Sequence, residues 1–160
     1  MNDEARNWLY QQLEIADSDR SKWQIACVEK WADHYFRASI EAATGSGKSR
    51  IGIHAIRMLR RNDKDRSVIV VVPTRMLKTQ WQNELKKWKL SRNTEVWVVN
   101  SVIKGYHKAD LLIWDEVHRA LADTFVRSFD HVEYKFILGL TATMNRLDGK
   151  HTFMSKVAPI

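Results

Sequence analysis

Hydrophobic and polar positions along this chain follow two alternating periods. Trp23, Ala26, Cys27, Lys30, Trp31 and Tyr35 recur at mostly three- and four-residue spacing and predict a helix over 21–35. A second helix is predicted over 2–16, and the polar DSDRS between the two carries cap-type residues. RASIE reads as a short strand that runs into the glycine-rich turn AATGSGKS. A helix over 48–61 follows, with Ile51, Ile53, Ala55, Ile56 and Leu59 mostly on one apolar side. SVIVVV, 67–72, is a continuous β-branched run, the mark of a strand buried on both faces, and Pro73 ends it. A helix is predicted over 75–89, strands over 94–99, 111–116 and 135–140, and a further helix near 121–129.

Strands that alternate with helices in this way argue for parallel βαβ units with right-handed crossovers. The predicted fold class is α/β, a three-layer αβα lobe with helices on both faces of a mostly parallel sheet. Ligands of such sheets bind beyond the carboxyl ends of the strands. The segments 43–49, 73–75, 115–118 and 141–150 all leave those ends, so one rim should gather them.

Composition narrows the class without changing it. The 160 residues fit one domain, and 44% hydrophobic with 28% charged is ordinary for a globular chain. No run approaches the roughly 18 apolar residues of a membrane span. The acidic, polar N-terminus lacks the basic and apolar regions of a secretory signal. The single Cys27 excludes an intrachain disulfide and reads as a small buried apolar residue. An intracellular, cytoplasmic setting in a bacterium or a phage-infected host is the expectation. Lys and Arg number 26 against 19 Asp and Glu, a net charge of +7 that favours polyanionic partners.

Two segments carry chemistry. Ala42 to Ser49 matches the phosphate-loop pattern, with Ala in place of its first Gly. Phosphate needs inward-pointing backbone N–H groups, and Gly45 and Gly47 permit the required backbone angles beside Thr44 and Ser46. The helix that follows turns its positive end toward the same anion. Lys48 would reach the β- and γ-phosphates of ATP, and the Ser49 hydroxyl would ligate Mg²⁺. Downstream, LLIW runs into Asp115-Glu116-Val117-His118. Asp115, expected on a strand neighbouring the phosphate loop's own, could hold Mg²⁺, and Glu116 could position or deprotonate the attacking water.

With these residues in place, the chain resembles superfamily 2 helicases of the DExH class from Arg20 onward. RSKWQ, 20–24, resembles the family's Q motif, which implies that Gln24 reads adenine and that Arg20 also belongs to the nucleotide-binding set. AATGSGKS resembles motif I and DEVH motif II. VVPTRMLKTQWQNEL, 71–85, is similar to motif Ia, so Pro73, Thr74 and Arg75 are implied to touch the nucleic-acid backbone. Thr141-Ala142-Thr143 resembles motif III, which with His118 implies coupling of hydrolysis to strand movement. The tail GLTATMNRLDGKHTFMSKVAPI looks most like the XPB/UvsW-type and restriction-motor branch, compact phage helicases included, although Met144 stands where that branch has Pro.

The resemblance implies a RecA-like ATP-binding lobe over 20–160 preceded by a helical extension over 1–19. The second lobe, with motifs IV to VI and the arginine finger, is absent from these residues, so it counts among the expected partners together with nucleic acid, DNA before RNA. Two other readings stay open: the motor of a restriction-type duplex translocase, and a nucleotide switch without motor function. The seven Trp read mainly as core, and Arg57, Arg60, Arg61, Lys64 and Arg66 as a solvated helix end.

Overall fold

The computed structural model describes residues 4, 19–41, 48–115 and 127–141. The helices predicted over 2–16 and 121–129 lie almost wholly outside the described residues. Helix α1 spans Asp19–Asp33, strand β1 Arg37–Glu41, α2 Lys48–Leu59, β2 Val68–Val72 and α3 Arg75–Lys87. Strand β3 spans Thr94–Val98, the short α4 Val99–Val102, β4 His107–Asp115, a 3₁₀ turn Phe129–His131 and β5 Val132–Thr141.

The five strands form one sheet in the order β1-β5-β4-β2-β3, and every neighbouring pair is parallel. Handedness explains where the helices go. The chain moves one way along the sheet from β1 to β2 to β3 and turns back from β3 to β4. Right-handed crossovers then require the first two connections on one face and the third on the other. Helices α2 and α3 share a core with α1 and with Val68, Val70, Val72, Leu111, Ile113, Leu138 and Leu140. Val99 and Val102 of α4 lie on the opposite face with Ile69, Val71, Leu112, Trp114 and Ile137. Successive residues of β2 alternate between the two cores, so both of its faces are buried, as its β-branched run requires.

Helix α2 differs from the sequence expectation of one apolar side. Residues 51–56 are all buried, His54 and Gly52 included. The helix lies between α1, α3 and the sheet, so no face is left for water. Helix α1 ends at Asp33, two residues before its predicted end. Tyr35 and Phe36 turn left-handed there, at φ 58° and 59°. The Phe36 ring holds that turn by edge contacts with Trp31 at 5.1 Å and Phe136 at 5.4 Å.

Of the basic cluster at the end of α2, Lys64 is exposed as the sequence suggests, but Arg57, Arg60 and Arg66 are not a solvated end. Arg60 donates to the carbonyls of Arg66, Leu90 and Asn93 and to Thr94 Oγ1, at 2.9–3.2 Å. Its guanidinium ties the end of α2 to the turn that leads into β3. Arg66 lies over the Phe136 ring and Arg57 over the Trp88 ring.

Candidate functional site

The carboxyl ends of the strands place part of the site. Lys48 is the first residue of α2, the helix that follows β1, and Ser49 is half-buried in its first turn. Asp115 is the last residue of β4 and Thr141 the last of β5. Register sets Asp115 beside Leu140 and Thr141 beside Glu41, so three strand ends stand abreast on one rim. Thr44, Gly45, Ser46, Gly47, Glu116, His118 and Thr143 lie outside the described residues, as do the side chains of Arg20 and Lys48.

The sheet order departs from the sequence expectation at one point. The strand of Asp115 is not the neighbour of the strand that leads into the phosphate loop, because β5 lies between β1 and β4. Strand neighbours are fixed by hydrogen bonding between distant segments, and β5 pairs along five residues with β1 and along most of its length with β4. Thr141 consequently ends the strand that separates the two halves of the candidate nucleotide site.

Asp115 is only 2% exposed, and its Oδ2 accepts a hydrogen bond of 2.7 Å from the Trp81 indole Nε1. A carboxylate taken out of water needs such donors, and a charge-assisted bond of this length is a strong one. Thr141 is fully buried. Gln24 is buried at 2% exposure on α1, while the adjacent Trp23 is exposed. Pro73 and Thr74 are half-buried, and Arg75 is exposed. The Thr74 hydroxyl accepts from the Leu77 N–H at 3.2 Å and caps α3, a role its extended backbone fits. The rim segment 73–75 thus ends β2 and starts α3 with Arg75 facing solvent.

Sequence reasoning missed Trp81, which it assigned to the core. It is core, at 1% exposure, but its N–H is committed to Asp115. The signal was available in principle, since a buried indole N–H needs an acceptor. It also missed a cluster between α2 and α3. Arg50 and Arg57 both lie over the Trp88 ring, at 5.1 and 5.0 Å, and His54 meets the same ring edge-on. Burial first, then the charges of Arg57 and Arg50, push the His54 imidazole down to about 3, so it is neutral at physiological pH.

The donor set suits a hard cation. Mg²⁺ takes oxygen ligands, with one or two carboxylates completed by water and substrate phosphates. Asp115 and Ser49 offer only oxygen, and both stand at the rim-side end of their elements. Among the described residues there is no cluster of three or more His, Cys, Asp or Glu of the kind that would hold a metal by protein ligands alone. No helix among them is long and apolar enough to cross a membrane.

Known proteins share the sequence family and the fold of this chain. The family described as type III restriction enzyme, res subunit, matches residues 17–110 and 100–146, well over half of the chain. A DNA 3'-5' translocase XPB2 from Sulfurisphaera tokodaii is 28% identical over 145 residues, which cover 81% of this chain and 32% of that protein. The chain therefore spans about a third of that relative's length. Among solved structures, the SWI2/SNF2 ATPase core of Sulfolobus solfataricus in complex with dsDNA superposes with a TM-score of 0.71 at 15% identity, covering 86% of this chain and 35% of that one. The Hef helicase domain of Pyrococcus furiosus gives a TM-score of 0.71 at 16% identity, covering 86% and 36%. At these identities the two structures share the fold, a RecA-like core with a parallel sheet. From the family match over most of its residues, the chain belongs to the family described as type III restriction enzyme, res subunit.

Proposed function

We propose that this chain is the ATP-binding motor lobe of a nucleic-acid translocase or helicase. The observation that carries the reading is the rim, where a buried carboxylate, Asp115, and the start of the Lys48 helix flank the strand that ends in Thr141. In this reading Thr44, Gly45, Ser46, Gly47 and Lys48 hold the phosphates, Gln24 reads adenine, and Arg20 binds the nucleotide with it. Ser49 and Asp115 hold Mg²⁺, which when bound neutralises charge on the β- and γ-phosphates. Glu116 takes the proton of the attacking water, and His118, Thr141 and Thr143 pass the state of the γ-phosphate to the nucleic-acid side.

DNA is the favoured track. The S. tokodaii relative is named a DNA translocase, and the S. solfataricus core was solved on dsDNA. Arg75 faces solvent where α3 begins, and a chain of net charge +7 suits a polyanion. Pro73, Thr74 and Arg75 then contact phosphates rather than bases, because a motor must step along any sequence.

The partner that completes the site is a second RecA-like lobe carrying an arginine finger, a group worth about 10³–10⁵ in rate in related phosphoryl transfer. Phosphate release tests this. The 160-residue chain should turn over ATP near background with or without DNA, and a protein carrying both lobes should show DNA-stimulated turnover that Glu116→Gln abolishes. Robust DNA-stimulated turnover by the monomeric chain would overturn the half-motor reading. Wild-type turnover in the two-lobed Glu116→Gln protein would remove Glu116 from its role.

A further inference from the structure

Trp81 belongs to α3, the helix that starts at the rim segment Thr74–Arg75, and Asp115 ends β4. Their hydrogen bond of 2.7 Å joins residues 34 positions apart and is buried. A buried indole N–H needs some acceptor, and a backbone carbonyl would do. Trp31 makes that choice, donating to the Ile137 carbonyl at 2.8 Å. Trp81 instead bonds the carboxylate assigned to the metal.

The ring is fixed from the other side by α2. A Cβ added to Gly52 would stand 2.5 Å from Trp81 Cη2, so the indole occupies the space that a side chain at 52 would fill. The helix after the phosphate loop thus meets one edge of the ring, and the Asp115 carboxylate meets the N–H. A carboxylate has about four lone-pair sites, so accepting one indole hydrogen bond leaves capacity for a metal.

We infer that Trp81 is a positioning residue for the metal ligand Asp115, holding its carboxylate from α3 by the indole N–H. The inference rests on the ATP and Mg²⁺ reading above. Groups that orient a metal-ligating side chain are typically worth about 10–100-fold in metal affinity. A neutral donor suits the task, because it orients the carboxylate without neutralising the charge that attracts Mg²⁺.

The test is the ratio of ADP affinities with and without Mg²⁺, measured on wild type, Trp81→Phe and Asp115→Asn. Trp81→Phe keeps most of the ring and removes the N–H. It should bind ADP in EDTA as wild type does and lose about tenfold of the Mg²⁺ enhancement, in the direction of Asp115→Asn. A folded Trp81→Phe with the wild-type enhancement overturns the inference and leaves the ATP reading standing. A wild type with no Mg²⁺ enhancement overturns that reading and the inference with it. Should Trp81→Phe fail to fold, the wild-type chain decides by NMR. The Trp81 indole resonance, assigned through its contact with Gly52, should move when Mg²⁺ is added to the ADP-bound chain, and move more than that of Trp31. Equal or absent movement overturns the inference.

Discussion

Gly52 on α2 and Trp81 on α3 are in such close apposition that a Cβ at position 52 would lie 2.5 Å from Cη2 of the indole. Helix propensity alone favours Ala over Gly inside a helix by about 1 kcal/mol. Here the opposing atom belongs to a buried ring, and overpacking a core costs about 1–3 kcal/mol. Overpacking should win. Gly52→Ala is predicted to lower the stability of the folded chain by about 1 kcal/mol, read from the midpoint of urea unfolding. A midpoint shifted upward would show that the ring yields freely.

Arg60 gives a second stability prediction. Its guanidinium makes four hydrogen bonds to the Arg66, Leu90 and Asn93 carbonyls and to Thr94 Oγ1. Lys cannot reproduce that fork. Hydrogen bonds to charged groups are worth about 1.5–3 kcal/mol each, and the partly exposed carbonyls regain water when the group is lost. Arg60→Lys should therefore destabilise by about 2 kcal/mol in total, while Arg61→Lys should change little. Equal effects of the two substitutions would contradict the bracing role.

β2 was legible because a strand buried on both faces must be apolar throughout. β4 begins at His107, four residues before its apolar run, because His107, Lys108 and Ala109 pair with β5 and Asp110 bonds to Ser67, contacts that no burial pattern records. The place of β5 between β1 and β4 is a long-range property that no local period records. The positions of Asp115 at a strand tip and Lys48 at a helix start in the candidate site were legible because those signals are local. Trp81 was rightly placed in the core, but its bond to Asp115 and the bracing role of Arg60 went unread because they depend on partners 34 and up to 34 residues away. Gly52, an isolated glycine inside a helical pattern, was the one local hint of close packing.

His54 predicts acid sensitivity. Its folded pKa is lowered from 6.5 to about 3, chiefly by burial. A lowered folded pKa means that the unfolded chain binds the proton more readily. The stability from a neutral His54 is complete above pH 6.5 and is lost as pH falls from there toward 3. The slope from this group approaches about 1.4 kcal/mol per pH unit well below the unfolded value. His54→Phe should flatten the fall in Tm between pH 6.5 and 5 relative to wild type. Parallel Tm profiles for the two proteins would rule out His54 as the source.

Nucleic-acid binding should be electrostatic and indifferent to sequence. Removing one phosphate contact lowers the salt slope by about 1. Arg75→Ala should produce that change in a titration of duplex DNA at several salt concentrations. Thr74→Ser should not, because Ser keeps the cap on α3. Strong preference among duplex sequences, or affinity independent of salt, would contradict the proposed interface.

In the proposed reading, the rim at Lys48, Ser49 and Asp115 holds a magnesium nucleotide. Calorimetric titration of Mg²⁺–ADP into wild type and Lys48→Ala tests it most directly. The Lys48 ammonium should contribute a charge-assisted phosphate contact of about 1.5–3 kcal/mol, so the variant should bind at least about tenfold more weakly. Equal affinities for the two proteins, or no heat of binding with either, would contradict a magnesium-nucleotide site at this rim.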